Sequence, residues 1–241
     1  MSWALNYLKS SLGQKLLMSL TGLFLCTFLI VHLVGNLQLL INDGGVAFNE
    51  YSIFMSKFLP IKAVSFLLYG GLLLHAFVGI SSYIDNKKAR GGQKYAVKSS
   101  TGTNLASRNM ALLGTLILAF LIMHMSQFWF NSKFGPLKES HQYFAYAKEL
   151  FSNPLWVALY VLGQIVLFAH LAHGFQSAFQ TLGVNQKKFS PIIKGLGLGF
   201  SILFPLGFAL VAIGLHLDWN ETGYFDFFKA IESLHWKIEA H

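Results

Sequence analysis

The sequence predicts an all-α membrane protein, a bundle of five transmembrane helices with its N-terminus cytoplasmic and its C-terminus outside. Three observations carry that expectation. Of 241 residues, 54% are hydrophobic and 12% charged, where a soluble domain carries about 25% charged residues; mean hydropathy is +0.51. Five long stretches lack Asp, Glu, Lys and Arg altogether. The basic residues concentrate in alternate connections between those stretches. An ordinary soluble enzyme and a disordered chain are both excluded.

A helix needs about 20 apolar residues to cross a bilayer. The stretches at about 16–41, 63–84, 109–132, 154–179 and 195–217 all meet that length. The first is too long for a signal-peptide core and lacks a small-residue cleavage site, so it is expected to be a retained span. The gaps are too short for a second domain, so residues 1–241 are expected to form one membrane-anchor domain. With the N-terminus inside, segments 1–15, 85–108 and 187–194 hold eleven basic residues, among them Lys9, Lys15, Lys87, Lys88, Arg90, Lys94, Lys98, Arg108 and Lys194, against one acid, Asp85. The outer segments hold seven basic residues and nine acids. That asymmetry sets the orientation. The basic inner face suits anionic lipid or a soluble partner. It does not suit nucleic acid, because the charges flank spans and form no module of their own. Spacings of three among Phe225, Phe228, Ile231 and Leu234 suggest that 221–241 is an amphipathic tail on the outer surface.

Ionisable residues inside a span are costly and mark function by default. Here every one is histidine: His32, His75, His124, His170 and His173, with His216 ending the fifth span at the interface. One such histidine is commonly a hydrogen-bonded interior residue. Four consecutive spans with one or more each point to haem ligation. Proton relays usually include acids, which these spans lack, and zinc prefers three or four converging ligands. The single cysteine, Cys26, excludes a disulfide scaffold, a thiolate zinc site and a protein-ligated iron–sulfur cluster.

Depth decides the pairing. His32 and His124 lie near the outward ends of the first and third spans, while His75 lies near the inward end of the second. His32 therefore pairs with His124 in the outer half, and His75 with a fourth-span histidine in the inner half. Two levels of two ligands fit two bis-histidine haems, which suit electron transfer because no iron position is open. His75 with Gly79 and His170 with Gly174 both read His-x-x-x-Gly. Residues i and i+4 share a helix face, so each glycine either clears room for a flat porphyrin or permits close helix packing. Gly22, Gly71, Gly114 and Gly207 suit packing. The glycine spacing favours His170 over His173, and depth mildly favours His173; His170 is preferred, with His173 the alternative.

At these residues the chain resembles the two-haem cytochrome b membrane anchor of succinate:quinone oxidoreductases, the single-polypeptide kind with five helices. The resemblance runs through Leu17–Gly22 (LMSLTG), Val31–Leu37 (VHLVGNL), Phe48–Tyr51 (FNEY), His75 with Gly79, Ser107-Arg108-Asn109, His124 and His170–Gly183. It implies two haem b groups, the outer on His32 and His124 and the inner on His75 and a fourth-span histidine. It also implies a membrane quinone, menaquinone in many such proteins, and two cytoplasmic partners: an iron–sulfur subunit and an FAD flavoprotein. The setting it implies is the respiratory complex II of a bacterial cytoplasmic membrane, as succinate dehydrogenase in the tricarboxylic acid cycle or as fumarate reductase. Asn36, Gln38, Glu50 and Gln127 are the quinone candidates, with Glu50 able to exchange quinone protons or to be an ordinary loop acid. Some fumarate-reducing relatives carry a buried acid beside the fourth-span ligand. Positions 168 and 169 are Phe and Ala here, so that proton route is not expected. The chain itself is not expected to catalyse dicarboxylate chemistry, since it has no flavin-binding glycine fingerprint on a strand–helix unit. The competing readings are a di-haem anchor of a hydrogenase or formate dehydrogenase type complex, and a small histidine-containing transporter.

Overall fold

The computed structural model describes residues 7, 10–91, 109–184 and 186–222. Every regular element among them is helical. In chain order these are α1 (Ser11–Leu37), continued by a 3-10 turn (Gln38–Leu40); α2 (Val46–Lys57); α3 (Leu59–Arg90); α4 (Met110–Met125), continued by a π-helical turn (Ser126–Phe130); and α5 (Asn131–Phe134). They are followed by α6 (Leu137–Ser140), α7 (Tyr143–Ser152), α8 (Pro154–Thr181), α9 (Ser190–His216) and α10 (Trp219–Thr222). The expected outer tail from 223 onward, the basic residues Lys9, Lys94, Lys98 and Arg108, and the Ser107-Arg108 part of the resemblance lie outside the described residues.

Five helices are long and apolar enough to cross a membrane: Ser11–Leu40, Leu59–Ala89, Met110–Phe134, Pro154–Thr181 and Ser190–His216. This is an all-α membrane protein. Its surface agrees: Leu59 and Phe66 are each 75% exposed and Phe77 69%, a distribution that water would not tolerate and lipid requires. In hydrocarbon every backbone N–H and C=O must be paired within the segment, which helices alone achieve without a closed barrel.

The observed helices overrun the charge-free stretches. α3 takes in Lys62 at one end and Asp85, Lys87 and Lys88 at the other, and all four side chains are exposed. Long basic chains snorkel to the headgroups while their backbone stays helical, so counting uncharged residues underestimates helix length. Charge counting also misses the short connecting helices, among them α2 and α7. Asp43 opens α2, its carboxylate accepting the backbone N–H of Gly45 (2.7 Å) and Ala47 (2.8 Å). Gly45 has φ +85° and lies against the Phe144 ring, so both its conformation and its clearance exclude a side chain. Asn49 Oδ1 then accepts the backbone N–H of Phe144 (2.9 Å), joining α2 to the start of α7.

The chain divides into two compact units. The first comprises the described residues within 1–29, 64–120 and 165–203, and the second those within 30–63, 121–164 and 204–241. In the first, Gly71 faces Phe24, Gly197 faces Phe175, and Ser82 donates to Gln14 Oε1 (3.0 Å). In the second, Gly207 faces Leu33 and Gly214 faces Leu40 and Trp219, close approaches that a larger residue would block.

Candidate functional site: two imidazole pairs

The first unit contains His75 of α3 and His170 of α8, with ring centroids 6.3 Å apart and planes at 70°. Thr21 of α1 meets His75: its Oγ1 lies 3.0 Å from Nδ1. The same hydroxyl donates to the Leu17 carbonyl at 2.6 Å, as helical threonines commonly do one turn back. With its proton committed there, the oxygen is an acceptor toward Nδ1–H. Gly22 and Gly114 border the pair. A Cβ on Gly22 would come 3.2 Å from His75 Cε1, and one on Gly114 4.0 Å from His170 Cε1. Gly79 and Gly174, the glycines of the His-x-x-x-Gly repeats, face Met18 and Met110. His173 is half-buried; the ring that meets His75 is that of His170.

The second unit contains His32 of α1 and His124 of α4, with centroids 5.8 Å apart and planes at 80°. His124 Nδ1 lies 3.3 Å from the Tyr160 hydroxyl. Tyr160 in turn donates to Gln127 Oε1 at 2.7 Å, so its oxygen also accepts toward Nδ1–H. Gln127 falls in the π-helical turn immediately after His124. Its carbonyl accepts from Asn131 Nδ2 (2.8 Å), which also reaches Tyr146 of α7 (3.0 Å). Asn36, one turn after His32, donates to that residue's carbonyl (2.7 Å) and lies 3.3 Å from its Nδ1. Aromatic rings close the surroundings: Phe208 is 5.4 Å from His32, and Phe128 is 5.3 Å from His124.

Of the four quinone candidates, Asn36 touches a paired histidine directly and Gln127 does so through Tyr160. Gln38 is half-buried in the 3-10 turn and Glu50 is exposed on α2; the structure does not bring either to an imidazole. His216 ends α9 with Nδ1 donating to the Phe151 carbonyl (2.9 Å), where it caps the last turn of α7.

The sequence does not single out Thr21 or Tyr160. A faint signal exists for Thr21, which precedes Gly22 in an apolar span. Tyr160 has none, because its partner is 36 residues away. Gln164, one turn beyond Tyr160, is buried with Oε1 lacking a hydrogen-bond partner among the described residues; His170 Nδ1 is likewise buried without one.

Two nitrogens about 2 Å from one metal put imidazole centroids roughly 6 Å apart, and both pairs meet that spacing. Among the described residues no group of three or more His, Cys, Asp or Glu is placed to hold a metal ion. Two imidazoles alone suit a metal that brings its other ligands with it, as a porphyrin-bound iron does. The donor chemistry fits at one ring of each pair. A ligating histidine normally donates its second ring N–H to a fixed acceptor, and His75 and His124 each have one. Comparisons with protein-family models, with curated proteins and with solved structures find no match for this chain.

Proposed function

We propose that this chain is the two-haem cytochrome b anchor of a succinate:quinone oxidoreductase, carrying electrons between an iron–sulfur subunit and a membrane quinone. The observation that supports it most is the pair of imidazole pairs, 6.3 and 5.8 Å apart, each drawn from two different membrane-spanning helices. His75 and His170 would hold one haem b, and His32 and His124 the other. A bis-imidazole haem supplies, when bound, a one-electron carrier with no open iron position.

The chain's own residues do the rest. The Thr21 and Tyr160 hydroxyls, each already donating elsewhere, would accept from the Nδ1–H of His75 and His124 and so leave Nε2 of each ring to a metal. The apolar shell excludes water, so the local dielectric stays low. Lys87 and Lys88, exposed at the end of α3, form part of the basic face where an iron–sulfur subunit would dock on the cytoplasmic side of a bacterial inner membrane. Asn36, Gln38, Glu50 and Gln127 are the proposed quinone contacts, with menaquinone the expected class and Glu50 the group open to proton exchange with solvent. The dicarboxylate chemistry belongs to the flavoprotein partner.

Purification of the intact complex tests this. The expected result is a b-type reduced-minus-oxidised spectrum with a flavoprotein and an iron–sulfur subunit co-purifying. A nickel or molybdenum subunit in their place, or no b-type band, would overturn it.

A further inference from the structure

In each unit one ring of the imidazole pair is braced by a hydroxyl whose own proton is already spent. Thr21 Oγ1 gives its proton to the Leu17 carbonyl (2.6 Å) and faces His75 Nδ1 at 3.0 Å. Tyr160 gives its proton to Gln127 Oε1 (2.7 Å) and faces His124 Nδ1 at 3.3 Å. A hydroxyl has one proton and two lone pairs, so each of these oxygens has only acceptor capacity left for the ring. The partners come from distant sequence, 54 and 36 residues away, and from different helices. In both units a neutral hydroxyl polarised by its own donation faces Nδ1, and His75 has the Met18 backbone as a second hydrogen-bond partner. The opposite rings differ. His170 Nδ1 is buried with no hydrogen-bond partner among the described residues, and His32 Nδ1 faces the Asn36 amide nitrogen.

We infer that Thr21 and Tyr160 are positioning residues, each setting the tautomer and basicity of one axial histidine and thereby the redox potential of the haem it would bind. The inference rests on the two-haem reading. An Nδ1–H that donates to a fixed acceptor leaves its lone pair on Nε2 and raises the electron density there. A more basic ligand favours the oxidised metal and lowers the potential. Thr21 also precedes Gly22, whose missing side chain leaves room for the His75 ring, so that two successive residues supply acceptor and clearance. A hydroxyl that merely satisfied a buried ring N–H would hold the fold without selecting one potential over the other.

The test is redox titration, with haem content and the electron paramagnetic resonance spectrum of the oxidised protein, on the intact complex carrying Thr21→Val, Thr21→Ser or Tyr160→Phe. Thr21→Val is isosteric but cannot accept. It is expected to raise one of the two midpoint potentials and move one low-spin signal, leaving the other of each unchanged. Tyr160→Phe is expected to raise the other potential, and Thr21→Ser to keep both native values. Thr21→Val with both potentials and both signals unaltered would overturn the inference while leaving the two-haem reading standing. A serine variant shifted as far as the valine variant would do the same. Should Thr21→Val lose its haem, Thr21→Ser with native content and potential supports the hydroxyl's role, and Thr21→Ser without haem refutes it. An unsubstituted complex with no b-type haem is a different outcome, since it removes the proposed function itself.

Discussion

Around His75 and His170, Gly22 and Gly114 border the rings and the hydroxyl of Thr21 meets His75. Around His32 and His124 the neighbours are rings. Phe208, Phe128 and Tyr160 lie 5.3 to 5.9 Å from the imidazoles, and a hydrogen-bonded chain runs on through Gln127 and Asn131 to Tyr146. One pair is given room by removing side chains, the other by framing it with flat ones. The first arrangement is tight at Gly22, where a methyl would press on His75, and open to ordinary contact at Gly114. The second can yield by ring rotation but depends on polar partners that must all stay paired.

The largest effects should separate the two pairs outright. His75→Ala or His170→Ala is expected to remove one haem and leave the other, and His32→Ala or His124→Ala the reverse, read as haem per protein. The His75→Ala complex should also assemble poorly with its soluble partners. His32→Ala and His124→Ala should keep succinate oxidation with artificial acceptors.

Next come the glycines, where one substitution should give two answers. An added Cβ at Gly22 would press on His75 at 3.2 Å, while at Gly114 it would reach ordinary contact with His170 at 4.0 Å. Gly22→Ala is expected to lower haem occupancy in the first unit, overpacking of that kind costing about 1–3 kcal/mol. Gly114→Ala should leave occupancy native. Equal loss in both would deny the first unit its tightness at Gly22.

Tyr160→Phe removes the hydroxyl that faces His124 Nδ1 and donates to Gln127 Oε1. Stranding the Gln127 oxygen costs about 1–3 kcal/mol. Thermal unfolding should report that loss, and a companion Gln127→Leu should recover part of it by removing the stranded oxygen.

How far these features could be read from the sequence depends on their range. Histidine is conspicuous in a span without charges, and counting residues to the span ends puts His32 beside His124 and His75 beside a fourth-span histidine, which are the rings that meet. The repeats His75–Gly79 and His170–Gly174 point to glycines on the same helix as each histidine. The glycines that border the rings, Gly22 and Gly114, come from other helices, which no local spacing encodes. Thr21 and Tyr160 are hidden for the same reason. The π-helical turn at Ser126–Phe130, which carries Gln127, is a shift in hydrogen bonding and leaves no mark in composition. α2 and α7 escaped because they are short and lie in the connections, where charge counting finds only a gap.

The smallest effect belongs to the second unit's polar edge. Lys148 pairs with Glu221 and, at 3.4 Å, with Asp218. The hydrogen bond it donates to Glu221 holds its pKa above the ordinary lysine value against the opposing effect of burial, with a second hydrogen bond to Asp218 and the two carboxylate charges adding to the rise. Its contribution is therefore present at neutral pH and is lost as pH rises through that raised value. Exposed pairs of this kind are worth under about 1 kcal/mol. Lys148→Ala should lower the melting temperature only slightly at neutral pH, and the gap from the parent should close at strongly alkaline pH.

The most direct test of the account is the haem-to-protein ratio of the purified complex, measured for the parent and for the double variants His75→Ala/His170→Ala and His32→Ala/His124→Ala. The account predicts two b haems per chain in the parent, resolved as two potentials, and one in each double variant, with a different potential surviving in each. A parent without haem, or a double variant that keeps both, would contradict it.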